Sequence, residues 1–129
     1  MASRRLCAAA LFVTAVIHLA VVPEHAREWP AAALFFVVLT AVELALGAAV
    51  LTRTSRTLLL TGAAISIMSA GLWAASRTVG LPIGPEVFRP EAVAAPDVMA
   101  TALEVLAAGI FARMAFRTTV VGVPAHAYR

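Results

Sequence analysis

The chain of 129 residues has no lysine, no asparagine and no glutamine, and only one cysteine. The lone Cys7 excludes an internal disulfide and any multi-cysteine metal cluster within one chain. It reads as a small apolar residue near the start of a helix, because Ser3-Arg4-Arg5-Leu6 before it lacks the small residues of a lipoprotein signal. Charge is scarce as well: 13% of the residues are charged, against about a quarter in soluble domains. With 62% of the chain hydrophobic, a water-soluble core of this length could not hide the apolar surface, which sets aside an ordinary soluble globule.

Every basic residue is arginine and the formal net charge is +3. In a soluble protein that balance would raise nucleic-acid binding. Position argues otherwise. Arg4, Arg5, Arg53, Arg56, Arg113 and Arg117 stand singly or in pairs just beyond apolar runs, where loop charge fixes membrane orientation. The expected partner is a lipid bilayer, and nucleic acid is not expected.

A bilayer core of about 30 Å needs roughly 20 apolar residues in a helix. Four runs approach that length, over 6–22, 31–51, 57–76 and 97–116, leaving outer loops at 23–30 and 77–96. Pro23 is expected to end the first run, while Pro30 and Pro96 suit first helical turns. Asp97 suits the positive end of the fourth helix dipole. Within lipid the backbone must satisfy its own hydrogen bonds, so these lengths mean helices. The fold class is therefore all-α, an integral membrane four-helix bundle forming one domain. Small residues such as Gly47-Ala48-Ala49 and Gly62-Ala63-Ala64 let the backbones approach closely.

The first run, with its basic start, also has the form of a cleaved signal peptide. No small-x-small cleavage site follows it, and three further runs would still make the chain polytopic. Orientation follows from charge: the amino terminus, the Thr52 to Arg56 turn and the carboxyl tail hold seven arginines and no acid. The other two loops hold Glu24, Glu28, Glu86 and Glu91. By the positive-inside rule both termini are cytoplasmic and the chain is a multi-pass protein of the inner (plasma) membrane.

Ionisable residues within a span are costly and mark candidate sites. Three qualify: His18, Glu43 and Glu104. Counting about 1.5 Å per residue from Pro23, Asp97 and Pro30, His18 lies roughly 8 Å and Glu104 roughly 10 Å below the outer surface, and Glu43 roughly 20 Å. His18 and Glu104 are thus expected to meet, with Glu43 in a deeper layer as a proton relay or bonded to Ser66 or Thr40. His18, His25 and Glu104 offer imidazole and carboxylate ligands for a divalent metal ion, although no compact ligand motif is present. A bis-histidine haem is disfavoured, since His18 and His25 share one helix end and His126 belongs to the opposite side.

Gly80, Pro82, Gly84 and Pro85 cannot continue a helix and are expected to form a turned cap over the bundle mouth. Trp73 beneath it suits the aromatic belt. Arg77 can bind a carboxylate in a bidentate manner, as a clamp on Glu28, Asp97 or Glu104 or as an anchor for an anion.

These residues carry a resemblance. His18-Leu19 with Pro23-Glu24-His25, Trp73 with Ser76-Arg77-Thr78-Val79-Gly80-Leu81-Pro82 and Gly84-Pro85, and Asp97 with Glu104 make the chain similar to small four-span membrane proteins of actinobacteria whose activity is uncharacterised. The arginine-only basic set and the abundance of alanine match GC-rich coding. In size and span count alone the chain also resembles DoxX-like membrane proteins, which implies an architecture and no activity.

Two functions follow from the residues. One is a site at the outer mouth, built from His18, His25, Glu28, Arg77, Asp97 and Glu104, that binds a metal ion or small anionic ligand. The other is a non-catalytic accessory or scaffold subunit, with a second copy or a membrane complex as partner. An enzyme is less expected, because no nucleophile has a recognisable acid-base partner.

Overall fold

Trp29 and Pro30 set the first sharp turn of the chain. A residue before proline is pushed out of the helical region, and Trp29 is extended with φ −151° and ψ 95°. A computed structural model describes residues 1–120; His126 and Arg129 lie outside the described residues. Four helices fill them, α1 (Ala2–Glu28), α2 (Pro30–Thr52), α3 (Arg56–Thr78) and α4 (Ala95–Val120). Each is long and apolar enough to cross a membrane.

The first helix departs from the expected end at Pro23. Pro23 lies inside α1, which continues to Glu28. The proline removes one backbone donor, but it sits exposed near the helix end, and one missing bond there does not outweigh the turn that follows. The link between α1 and α2 is therefore Trp29 alone. The second turn is capped by Ser55, whose hydroxyl accepts from Leu58 N at 3.1 Å. Arg4 reaches from α1 to the Val50 and Leu51 carbonyls at the end of α2, a favourable place for a cation on a helix dipole.

The packing is not that of a closed bundle. The α1–α2 and α3–α4 hairpins join through α1 and α4, whereas α2 and α3 scarcely touch. Each hairpin is locked by an aromatic ring against a glycine. An added Cβ on Gly47 would lie 2.5 Å from the Phe12 ring, and one on Gly62 would lie 2.5 Å from the Phe111 ring. Cys7, Leu11, Val50, Leu59 and Phe111 form the apolar core. Outward-facing residues are apolar too, with Val16, Leu34, Met68 and Phe116 each more than 60% exposed.

The segment 79–94 covers one end of the bundle. Gly80 holds φ +74°, and a Cβ there would meet the Arg89 backbone at 2.4 Å. Phe88 N donates to Leu81 O at 2.8 Å and Glu91 N to Ser76 O at 3.0 Å, which ties the cap to the end of α3.

Candidate functional site

Three side chains that can carry charge are buried among the described residues: His18, Glu43 and Glu104, at 7%, 1% and 2% exposure. They come from α1, α2 and α4 and converge. Each offers one ligand atom, and these atoms lie within 4.8 Å of one another. His18 Nδ1 donates to Glu43 Oε2 at 3.1 Å.

This placement corrects the expected layering. Glu43 shares the layer of His18 because α1 runs past Pro23: counted from Glu28, His18 lies about 15 Å along its helix, and Glu43 lies about 20 Å from Pro30. Glu43 pairs with neither Ser66 nor Thr40; Thr40 instead donates to Ala15 O at 3.4 Å. Of the expected metal ligands, His18 and Glu104 come together and His25 does not. His25 Nδ1 donates to Val21 O at 2.9 Å, and its ring packs edge-on to Phe36 at 4.7 Å.

Two oxygens of the cluster, Glu43 Oε1 and Glu104 Oε2, are buried without a hydrogen-bond partner. Leaving such groups unpaired in an apolar interior is expensive unless a proton or a cation sits between them. The rest of the donor set fits a hard or borderline divalent ion, since imidazole and carboxylate ligate zinc, manganese and iron. Ligands about 2.1 Å from one tetrahedral ion lie about 3.4 Å apart, so small side-chain rotations would close the three groups onto it.

Arg77 stands at the mouth. It pairs with Asp97 Oδ2 at 2.7 Å and with Glu91 Oε2, and it donates to Ser76 Oγ at 2.9 Å. Asp97 was among the expected partners; Glu28 and Glu104 were the others, and Glu91 takes the second place. Asp97 Oδ2 also accepts from Ala94 N at 3.4 Å, which fixes the start of α4. Glu28 does not pair with Arg77; it lines a neighbouring pocket with His25, Trp29, Glu86 and Glu91.

Between mouth and cluster is a cavity of about 430 Å³ lined by His18, His25, Phe35, Phe36, Trp73, Arg77, Asp97 and Glu104, among others, and roofed by Trp29, Pro82 and Ile83. His18 and Glu104 of the cluster thus line a cavity whose walls are largely apolar and include Trp29, Phe35, Phe36 and Trp73. Beyond the cavity, Leu11, Leu46, Val50 and Phe111 belong to the apolar core.

No family model matches the chain, and comparison with curated proteins and solved structures finds no match. The class that fold and site define is an all-helical protein with four helices able to cross a membrane and one buried His-Glu-Glu cluster.

Proposed function

We propose that the chain is a multi-pass protein of the plasma membrane, with both termini cytoplasmic, that binds a divalent metal ion between His18, Glu43 and Glu104. The bilayer placement is supported by the apolar outer surface of the helices, since soluble monomers rarely expose apolar patches of that extent. The orientation is supported by the arginines at the ends opposite the 79–94 cap.

The observation that carries the metal reading is the pair of buried, unpartnered carboxylate oxygens beside an imidazole. A cation satisfies both oxygens and offsets their charge, where a proton shared between Glu43 and Glu104 would join the two carboxyls without an ion; among the described residues no guanidinium is hydrogen-bonded to either oxygen. Of the two ligand types expected at the mouth, the cation is the better supported. The guanidinium of Arg77 is already divided between Asp97 and Glu91, so the mouth and cluster together hold more carboxylates than cations.

Elemental analysis of the purified, untagged protein tests this, beside a thermal-shift screen over zinc, manganese, iron and copper. A stoichiometric metal in the wild type that is lost in His18→Ala and in Glu104→Ala is the expected result. No metal and no shift would overturn it and leave the scaffold role, in which the buried groups only join α1, α2 and α4.

A further inference from the structure

Two buried donors at the top of the cavity have nothing to bond. Trp73 Nε1 and Arg77 Nε are both buried without a partner; both residues line the cavity, and a small rotation of the indole and guanidinium would open these nitrogens to it. They stand four apart on α3, hence on one face of the helix. The other two guanidinium nitrogens of Arg77 are taken by Ser76, Glu91 and Asp97.

We propose that this cavity binds an uncharged, lipid-soluble molecule with a flat apolar body and one carbonyl-type acceptor, the oxygen received by Trp73 Nε1–H and Arg77 Nε–H. The inference rests on the bilayer placement above and is independent of the metal.

Access supports it first. Phe35 on α2 and Leu72 on α3 both line the cavity, and each is 40% exposed. They flank the seam where α2 and α3 scarcely touch. That seam offers a ligand dissolved in the bilayer a path that does not cross the polar cap.

Charge selects the acceptor. An anion at Trp73 and Arg77 would face Asp97 and Glu91, which line the same cavity and already share its single guanidinium. A neutral oxygen takes the two free N–H groups without that repulsion. The size is also right, because small-molecule pockets run from about 300 to 1,000 Å³, and Trp29, Phe35, Phe36 and Trp73 in the lining favour an offset-stacked or edge-on ring.

Both tryptophans of the chain, Trp29 and Trp73, line the cavity, so intrinsic fluorescence reports on its contents. The probes are 2-acetonaphthone, 2-ethylnaphthalene, which keeps the ring and loses the acceptor, and 2-naphthoate, which is charged. Added to the protein in lipid nanodiscs, with empty nanodiscs as blank, the ketone is expected to quench saturably. The other two should bind at least about tenfold more weakly, since a buried donor is left unpaired or an anion faces carboxylates.

Trp73→Phe keeps the ring and deletes one donor, with Trp29 left as reporter; its Kd for the ketone should rise about threefold to tenfold. Ala32→Phe fills the cavity from α2 and should abolish saturable quenching while the melting temperature stays within a few degrees of wild type. Equal binding of all three probes, unchanged affinity in Trp73→Phe, or saturable quenching that survives Ala32→Phe would each overturn the proposal. Ketone binding that persists in Glu104→Ala, where metal is lost, separates this site from the metal site.

Discussion

His18 Nδ1 lies 3.1 Å from Glu43 Oε2 although 25 residues separate them. The contact joins α1 to α2 where an unpaired carboxylate would otherwise face an apolar interior. Glu43→Ala removes one partner and strands the other, and leaving a buried hydrogen-bonding group unpaired in that way costs about 1–3 kcal/mol. Glu43→Gln retains a hydrogen-bond acceptor and should cost less than half as much. Thermal melts of the two variants in one detergent check the order.

Metal occupancy should fall on acidification. Imidazole and carboxylates must give up their protons to ligate an ion, so protons compete with the metal at all three groups. Elemental analysis after dialysis over a descending pH series should show occupancy falling, with reloading on return to neutral pH. Occupancy that stays constant to the point of unfolding would place the ion elsewhere.

Gly62 sits under the ring of Phe111, which is wholly buried. The Cβ of Gly62→Ala would lie 2.5 Å from Phe111 Cζ, and overpacking of this kind costs about 1–3 kcal/mol. Phe111→Leu should recover part of that loss in the double variant. Gly71→Ala is the control: a Cβ there meets nothing within 4 Å, and the variant should be neutral or slightly more stable. Melting temperatures of the four proteins decide.

The four helices were legible in the sequence because an apolar run long enough to span a bilayer has few other uses. Arg77 with Asp97 was legible for a similar reason, since charges at the edges of spans seek each other. The layer of Glu43 was not. The depth of His18 beside it depended on where α1 ends, and Pro23 signals a stop that the folded chain does not take. Glu91 was missed because it lies in the irregular cap, where neither helical nor strand periodicity assigns a direction to its side chain. The open α2–α3 seam had no sequence signal, because outward-facing and helix-facing positions are both apolar here.

The clamp at the mouth should show coupling between its members. Arg77 and Asp97 are both largely shielded, with side chains 13% and 22% exposed. Arg77→Met and Asp97→Asn should each destabilise the protein, and the double variant should lose less than their sum. For groups in direct contact the interaction energy is about 0.5–3 kcal/mol. Additive losses would show that the pair only coexists.

Gly80 governs the cap. In Gly80→Ala the new Cβ would meet Arg89 N at 2.4 Å, and φ +74° is itself unfavourable for alanine. The segment must then lift away from α3, and the Glu91 N to Ser76 O bond goes with it. Cleavage by a glutamate-specific protease after Glu86 and Glu91 should be faster than in wild type by about fivefold or more, as expected for local strain of about 1 kcal/mol or above. Unchanged cleavage would mean that the cap is held by its side chains alone.

Orientation gives the last prediction. The turn with Arg53 and Arg56 and the end of α4 with Arg113 and Arg117 lie at one end of the helices, and the acidic cap lies at the other. Positive charge is retained on the cytoplasmic side, so Val87, 51% exposed in the cap, should face outward and Thr54 inward. In a Cys7→Ala background, a membrane-impermeant maleimide applied to intact cells should label Val87→Cys and spare Thr54→Cys until the cells are opened. The reverse pattern would place the cavity and the His18 cluster on the cytoplasmic side, and any ion would then be drawn from the cell interior.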